Sequence, residues 1–287
     1  HYPYQTSQVE VSTASAQTEN YSTHPFTYLT LNKTMSGQLH LPTSPAPTQG
    51  YPVIIMLRGW VPPENYQAGV GTHAAAEVFA QNGYVTLAPD FFGYGQSDPE
   101  SENSWETRLQ KPVSVIELIR TVTQQPQLQL EDQSIKLNPD QIGLWGHSNG
   151  GQVALTTLEI LQQPLPTTLW APVTAPFPYS ILFYSDEHDD EGREMRKWLS
   201  LFEEDYDVQQ FSLTQYLDRL TGPIQIHQGT NDDAVPVTWN NEFVEKIEAA
   251  SNSAELIYHQ YPGANHNLQP NWNLVVQRDL EFFSQQL

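Results

Sequence analysis

Short runs of apolar, largely β-branched residues alternate along this chain with segments of helical period, and that alternation leaves few folds open. VIIMLRG (53–59), YVTLAP (84–89), QIGLWG (141–146), TTLWAPV (167–173), PIQIHQG (223–229) and AELIYH (254–259) each read as a strand buried on both faces. Between them lie helical stretches. THAAAEVFAQNG (72–83) opens on Thr72 and closes on Gly83. Residues 104–124 hold a helix whose apolar face runs through Val113, Ile116, Leu118 and Ile119, and further helices are expected over 152–161, 237–250 and 272–283. Strands and helices in that order form βαβ units, hence an α/β fold with a doubly wound, mostly parallel sheet covered on both faces.

TYLTL (27–31) and GQLHLP (37–42) alternate like a hairpin turning at Asn32 and Lys33, expected at the sheet edge. Residues 1–34 are read as an N-terminal extension with an edge strand, and 35–287 as one domain. Residues 176–221 separate two core strands by far more than an ordinary connection, and read as a lid-like insert. Between Asp186 and Asp207 the insert carries 10 acidic residues against Arg193, Arg196 and Lys197. A solvated acidic lid surface is the first reading. A site drawing amine-bearing substrates, or a metal site at Asp186, Glu187, His188 and Asp189, are the rivals.

The chemistry gathers at LWGHSNGG (144–151), where Ser148 sits between Gly146 and Gly150 at the corner from strand to helix. That corner forces a strained backbone at the serine and projects its side chain outward, next to the unpaired N–H groups of a helix start. A serine needs a base, and the base an orienting carboxylate, both from loops after later strands. GTNDDAVP offers Asp232 and Asp233, and YPGANHNL offers His266. Asp232 is taken as the orienting acid, with Asp233 expected to tie its loop. The other histidines lie in the irregular start, within strands, or on the wrong side of the nucleophile. His147 is read as a packing or hydrogen-bonding residue. The N–H groups of Asn149 and Trp60 are the expected oxyanion donors. Trp60, Tyr66, Phe92 and Phe183 are the expected substrate-binding side chains. Arg58, at a strand end, calls for a carboxylate such as Asp90 or Asp98.

GHSNGG (146–151), NGYVTLAPDFFGYGQS (82–97), HQGTNDDAVP (227–236) and GANH (263–266) together resemble the α/β-hydrolase superfamily. Within it they are similar to the catalytic domain of the prolyl-oligopeptidase and dienelactone-hydrolase-like branch. The resemblance spans residues 35 to 287, and implies a nucleophile elbow at Ser148, an acid loop at Asp232 and a histidine loop at His266. Two departures qualify it. Arg58 stands where relatives carry histidine before glycine. These residues also contain no β-propeller and no obvious Glu-Glu segment in a separate domain for holding a peptide amino terminus, which turns the expectation from exopeptidase toward a general esterase.

The expected activity is therefore hydrolysis of carboxylic esters, with a serine peptidase or amidase as the nearest alternative and a non-catalytic binding protein as the alternative of another class. No metal or cofactor is required. The expected partner is a small ester or short peptide substrate, and composition excludes other classes. With 12 Lys and Arg against 33 Asp and Glu, a net charge of -21, the surface repels nucleic acid and anionic lipid. No apolar run approaches the ~18 residues of a membrane helix. The absence of cysteine removes thiolate chemistry. A start at His1 instead of Met reads as a removed leader, tipping the expectation from cytoplasmic toward secreted or periplasmic.

Overall fold

A computed structural model describes residues 3–130, 133–185, 189–250 and 254–287. Two short strands, β1 (Glu10–Val11) and β2 (Ala16–Gln17), precede the long hairpin of β3 (Tyr21–Thr30) and β4 (Lys33–Pro42). The alternating part follows: β5 (Tyr51–Leu57), α1 (His73–Gln81), β6 (Val85–Pro89), α2 (Ser104–Gln124), β7 (Gln127–Leu130), β8 (Gln133–His147), α3 (Asn149–Leu161) and β9 (Thr167–Trp170). The insert contributes α4 (Tyr179–Ser185) and α5 (Arg193–Asp205). The chain closes with β10 (Pro223–Gly229), α6 (Val237–Ala249), β11 (Glu255–Tyr261) and α7 (Trp272–Gln286).

The strands form one sheet in the order β11-β10-β9-β8-β5-β6-β4-β3-β1-β7, with β2 also on β3. From β11 through β6 every neighbouring pair is parallel, and β4 joins β6 antiparallel. β5 shows why the sheet needs two covers. Val53 to Leu57 are all 0% exposed, and their side chains alternate between faces. Val53, Ile55 and Leu57 join the core beneath α2, α3 and α6, through residues such as Leu118, Leu155 and Phe243. Ile54 and Met56 join the core beneath α1 and α7, with Phe79, Val275 and Phe283. Each such burial stabilises the fold by about 1.5–3 kcal/mol.

Three departures from the sequence reading have local causes. The β3–β4 turn falls on Leu31 and Asn32, with φ of 52° and 59°, one residue earlier than expected. Two positive φ values in a two-residue loop match the twist of the flanking strands. β3 pairs with β4 through Tyr21–Pro42 to Thr30–Lys33, and β4 pairs with β6, so this hairpin crosses the expected division at 34/35. Third, β7 and the first half of β8 form an unforeseen hairpin whose Leu128 and Leu137 reach the core, while β7 pairs with β1. Among the described residues, no helix is long and apolar enough to cross a membrane.

Candidate active site

Ser148 is the residue between β8 and α3, with φ 55° and ψ −120°. Its backbone is held on both sides, donating N–H to the Trp170 carbonyl at 2.9 Å and accepting from the Val173 N–H at 3.1 Å. This strain is tolerated because the flanking glycines let the chain pass. A Cβ at Gly146 would stand 2.8 Å from the Gly150 carbonyl oxygen, and one at Gly150 would collide with the Leu57 carbonyl. The Ser148 hydroxyl forms no cap bond with α3. The chain leaving β5 passes close by: a Cβ at Gly59 would lie 3.1 Å from Ser148 Cβ and 3.7 Å from Oγ. The turn at Gly59, which leads into Trp60, is thus packed against Ser148.

His266 and Asp232 come together from the loops after β11 and β10. His266 Nδ1 lies 2.9 Å from Asp232 Oδ2 and 3.0 Å from Oδ1. The carboxylate also accepts the N–H groups of Ala234 and Val235, at 2.9 and 2.8 Å, and the Gln228 amide at 3.0 Å. Asp232 therefore ties its own loop, the task expected of Asp233. Burial pushes the Asp232 carboxyl up, but the hydrogen bond and charge of His266 and the two N–H groups outweigh it, so the acid sits below its ordinary value. The side chain of Asp232 is fully buried, while 18% of His266 remains exposed, so the ring alone reaches the surface. The loops are laced by Asn231 N–H to the Ala264 carbonyl at 2.9 Å and Gly263 N–H to Thr230 Oγ1 at 2.9 Å.

His147, beside Ser148, places its ring 4.7 Å from that of His266 and so brings the elbow and the histidine loop to one rim. A second His–Asp pair, His227 and Asp279 at 3.0 Å, is 0% exposed on both side chains. Trp170 Nε1 and Gln225 Nε2 donate to the Asp279 carboxylate, and His227 Nδ1 meets the Tyr261 hydroxyl at 2.7 Å, so the pair is held in a buried structural network.

Other expected residues are placed differently. Phe92 is a correction: it is 5% exposed and belongs to the central core, with Lys33 Nζ over its ring. Arg58 is a second. It is 5% exposed and reaches the expected Asp90 at its backbone, bridging Gly59 O at 2.9 Å and Asp90 O at 2.7 Å, while its charge favours the Asp90 carboxylate without a hydrogen bond to it among the described residues. Its guanidinium lies over Tyr94 at 4.0 Å and Tyr66 at 4.6 Å. Tyr66 is thereby occupied, its hydroxyl donating to Asp90. Asp98 instead accepts the Thr34 N–H. The Trp60 indole is 67% exposed, and Phe183 packs 4.9 Å from Trp239 on α6, a neighbour the sequence did not disclose. Of the metal reading, Asp186, Glu187 and His188 lie outside the described residues.

The Asp232–His266 pair and the strained turn at Ser148 thus lie on neighbouring loops joined through His147. The profile of the prolyl oligopeptidase family matches residues 71–287. No curated protein matches the sequence. Among solved structures, Est1E from Butyrivibrio proteoclasticus with bound ferulic acid is 18% identical, with a TM-score of 0.62 over 89% of this chain and 96% of its own. Acetyl xylan esterase 1 from Thermoanaerobacterium sp. JW/SL YS485 is 13% identical, with a TM-score of 0.69 over 98% and 89%. A puromycin-hydrolyzing peptidase of Mycobacterium tuberculosis is 15% identical, with a TM-score of 0.68 over 96% of this chain but 41% of its own. At these identities the likeness is one of fold.

Proposed function

The chain belongs to the prolyl oligopeptidase family, and on that premise we propose that it is a serine hydrolase cleaving carboxylic esters through an acyl-enzyme. The observation that carries the reading is the His266–Asp232 contact beside the strained elbow at Ser148. In this reading Ser148 Oγ adds to the ester carbonyl carbon while His266 Nε2 takes its proton. Asp232 fixes the Nδ1–H tautomer and stabilises the imidazolium. The N–H groups of Trp60 and Asn149 take the oxyanion. The tetrahedral adduct collapses with loss of the alcohol, which receives the proton from His266. Water then repeats the sequence on the acyl-serine, releasing the acid and restoring the hydroxyl.

Esters are favoured over amides by the fold neighbours. Acetyl xylan esterase 1 matches this chain along most of both lengths, the peptidase along less than half of its own. The test is turnover of 4-nitrophenyl acyl esters against peptidyl 4-nitroanilides, by the wild type and by Ser148→Ala. The expected result is ester turnover in the wild type alone. Preferred anilide cleavage would replace esterase with peptidase, and unchanged ester turnover in Ser148→Ala would sink the mechanism. Failure of a fluorophosphonate probe to label the folded protein would favour a non-catalytic binding protein.

A further inference from the structure

The chain has only 12 basic residues against 33 acidic ones, yet Arg58, Arg108 and Lys111 gather beside Asn149, close enough for both arginines to act on the lysine's charge. A cavity of about 80 Å³ opens there between α2, the first turns of α3 and the insert. Its polar lining includes Arg108, Lys111, Asn149 and Gln152, and the insert closes it with aromatic rings such as Phe177 and Phe211. The hydrogen-bonding groups left over on its lining residues are donors. Trp105 Nε1 and Arg108 Nε are shut from solvent with no partner. The Lys111 ammonium has Asn149 Oδ1 at 3.4 Å and the Phe91 ring at 5.5 Å. Among the described residues neither Arg108 nor Lys111 forms an ion pair, although the charge of Glu100 is felt by both.

A half-buried cation with no carboxylate in contact is costly, and unpaired donors shut from solvent add to the cost. A ligand carrying only acceptors and a negative charge would remove both penalties. Burial first, then the charges of Arg108 and Arg58, bring the Lys111 ammonium down to about 8, which leaves it predominantly charged at neutral pH.

We infer that this cavity receives the carboxylate end of the acyl group whose carbonyl is attacked at Ser148, so that the preferred substrates are hemiesters of short dicarboxylic acids. The inference rests on the serine-esterase reading and deepens it. Lys111 holds the side chain of the residue next to the nucleophile, so the carboxylate and the scissile carbonyl are separated by a short chain. The aromatic wall from the insert packs against the methylenes between them.

Monoethyl succinate and ethyl 4-methylpentanoate differ by a carboxylate against an isopropyl group of nearly the same shape. The expected wild-type kcat/KM favours the hemiester at least tenfold at pH 7, and Lys111→Met lowers that ratio at least tenfold. A wild type that prefers the neutral ester, or a ratio unmoved by Lys111→Met, overturns the inference. A second measurement does not depend on catalysis: calorimetric titration of Ser148→Ala with monoethyl succinate. Saturable binding, weakened at least tenfold by adding Lys111→Met, supports the cavity, and no binding overturns it. Binding of this kind with neither ester hydrolysed by the wild type would overturn the esterase reading and leave the anion site standing.

Discussion

His147 Nε2–H donates to the backbone carbonyl of His266 at 3.1 Å, so the residue preceding the candidate nucleophile clamps the loop that carries the candidate base. Because a carbonyl can only accept, this contact fixes the His147 tautomer with its proton on Nε2. Burial, and then the nearby His266, push the His147 ring down to about 4, so it stays neutral and does not compete for the proton from Ser148. Loss of the clamp would let the His266 loop drift without removing any reacting group. His147→Ala is therefore expected to lower kcat about tenfold with KM little changed, roughly the worth of one hydrogen bond. Steady-state kinetics on a 4-nitrophenyl ester read the split, and a change in KM alone would contradict the clamp.

Asp232 has two duties, and one substitution separates them. Asn at this position keeps the shape and an acceptor oxygen for the N–H groups of Ala234 and Val235, but turns an NH2 donor toward His266 Nδ1–H and the Gln228 amide, both donors themselves. The wrong tautomer of the base is worth about 10⁴ in kcat in the serine-protease example of this change. The expected result for Asp232→Asn is a loss of three to four orders of magnitude in kcat, accompanied by a fall of about 1–3 kcal/mol in unfolding free energy from the loosened loop. Urea unfolding and single-turnover acylation measure the two effects. Wild-type kcat in this variant would remove Asp232 from the mechanism.

Arg58 illustrates what a strand-end residue reveals and conceals. Its burial and its need for partners follow from its place after an apolar run; the identity of those partners does not. They come from Tyr66 and Tyr94 in separate loops, and from a carbonyl at Asp90 whose own carboxylate is taken by Ser36 and Tyr66. Lys at this position cannot bridge Gly59 O and Asp90 O together, nor lie flat on a ring. Arg58→Lys is expected to loosen the Gly59-Trp60 turn and to reduce kcat five- to tenfold while the protein remains folded, read by kinetics alongside circular dichroism. Full activity would show that the turn is held from elsewhere.

The mostly parallel sheet and the meeting of Asp232 with His266 were legible because both depend on local signals: buried runs of β-branched residues alternating with helices, and acidic and histidine loops following strands. The β7–β8 hairpin escaped because QLQL alternates over only four residues and Pro139 interrupts the polar start of β8, so that Leu128 and Leu137 reach the core from runs too short to stand out. Phe92 was misplaced because an aromatic residue after a strand reads equally as core or pocket. The cavity at Arg108 and Lys111 was beyond reach, since its walls come from α2, α3 and an insert whose packing on Trp105 is set by tertiary contacts. A basic pair at i and i+3 in so acidic a chain was the trace it left.

His40 supplies a pH test remote from the site. It is 0% exposed on β4, between the rings of Tyr21 at 5.7 Å and His73 at 5.2 Å. Burial first, then His73 and His24, push its pKa down to about 4. The folded ring is neutral, whereas the unfolded one takes a proton near 6.5, so its contribution is whole above 6.5 and is lost as pH falls toward 4. Asp90 and Glu159, raised by burial, act in the opposite sense, which makes the total slope a poor readout. The difference between wild type and His40→Gln isolates the ring. Between pH 7 and 4 the wild type should lose about 3 kcal/mol of unfolding free energy that His40→Gln does not lose. Urea midpoints at both pH values measure this, and parallel changes in the two proteins would mean that His40 takes up its proton in the folded state.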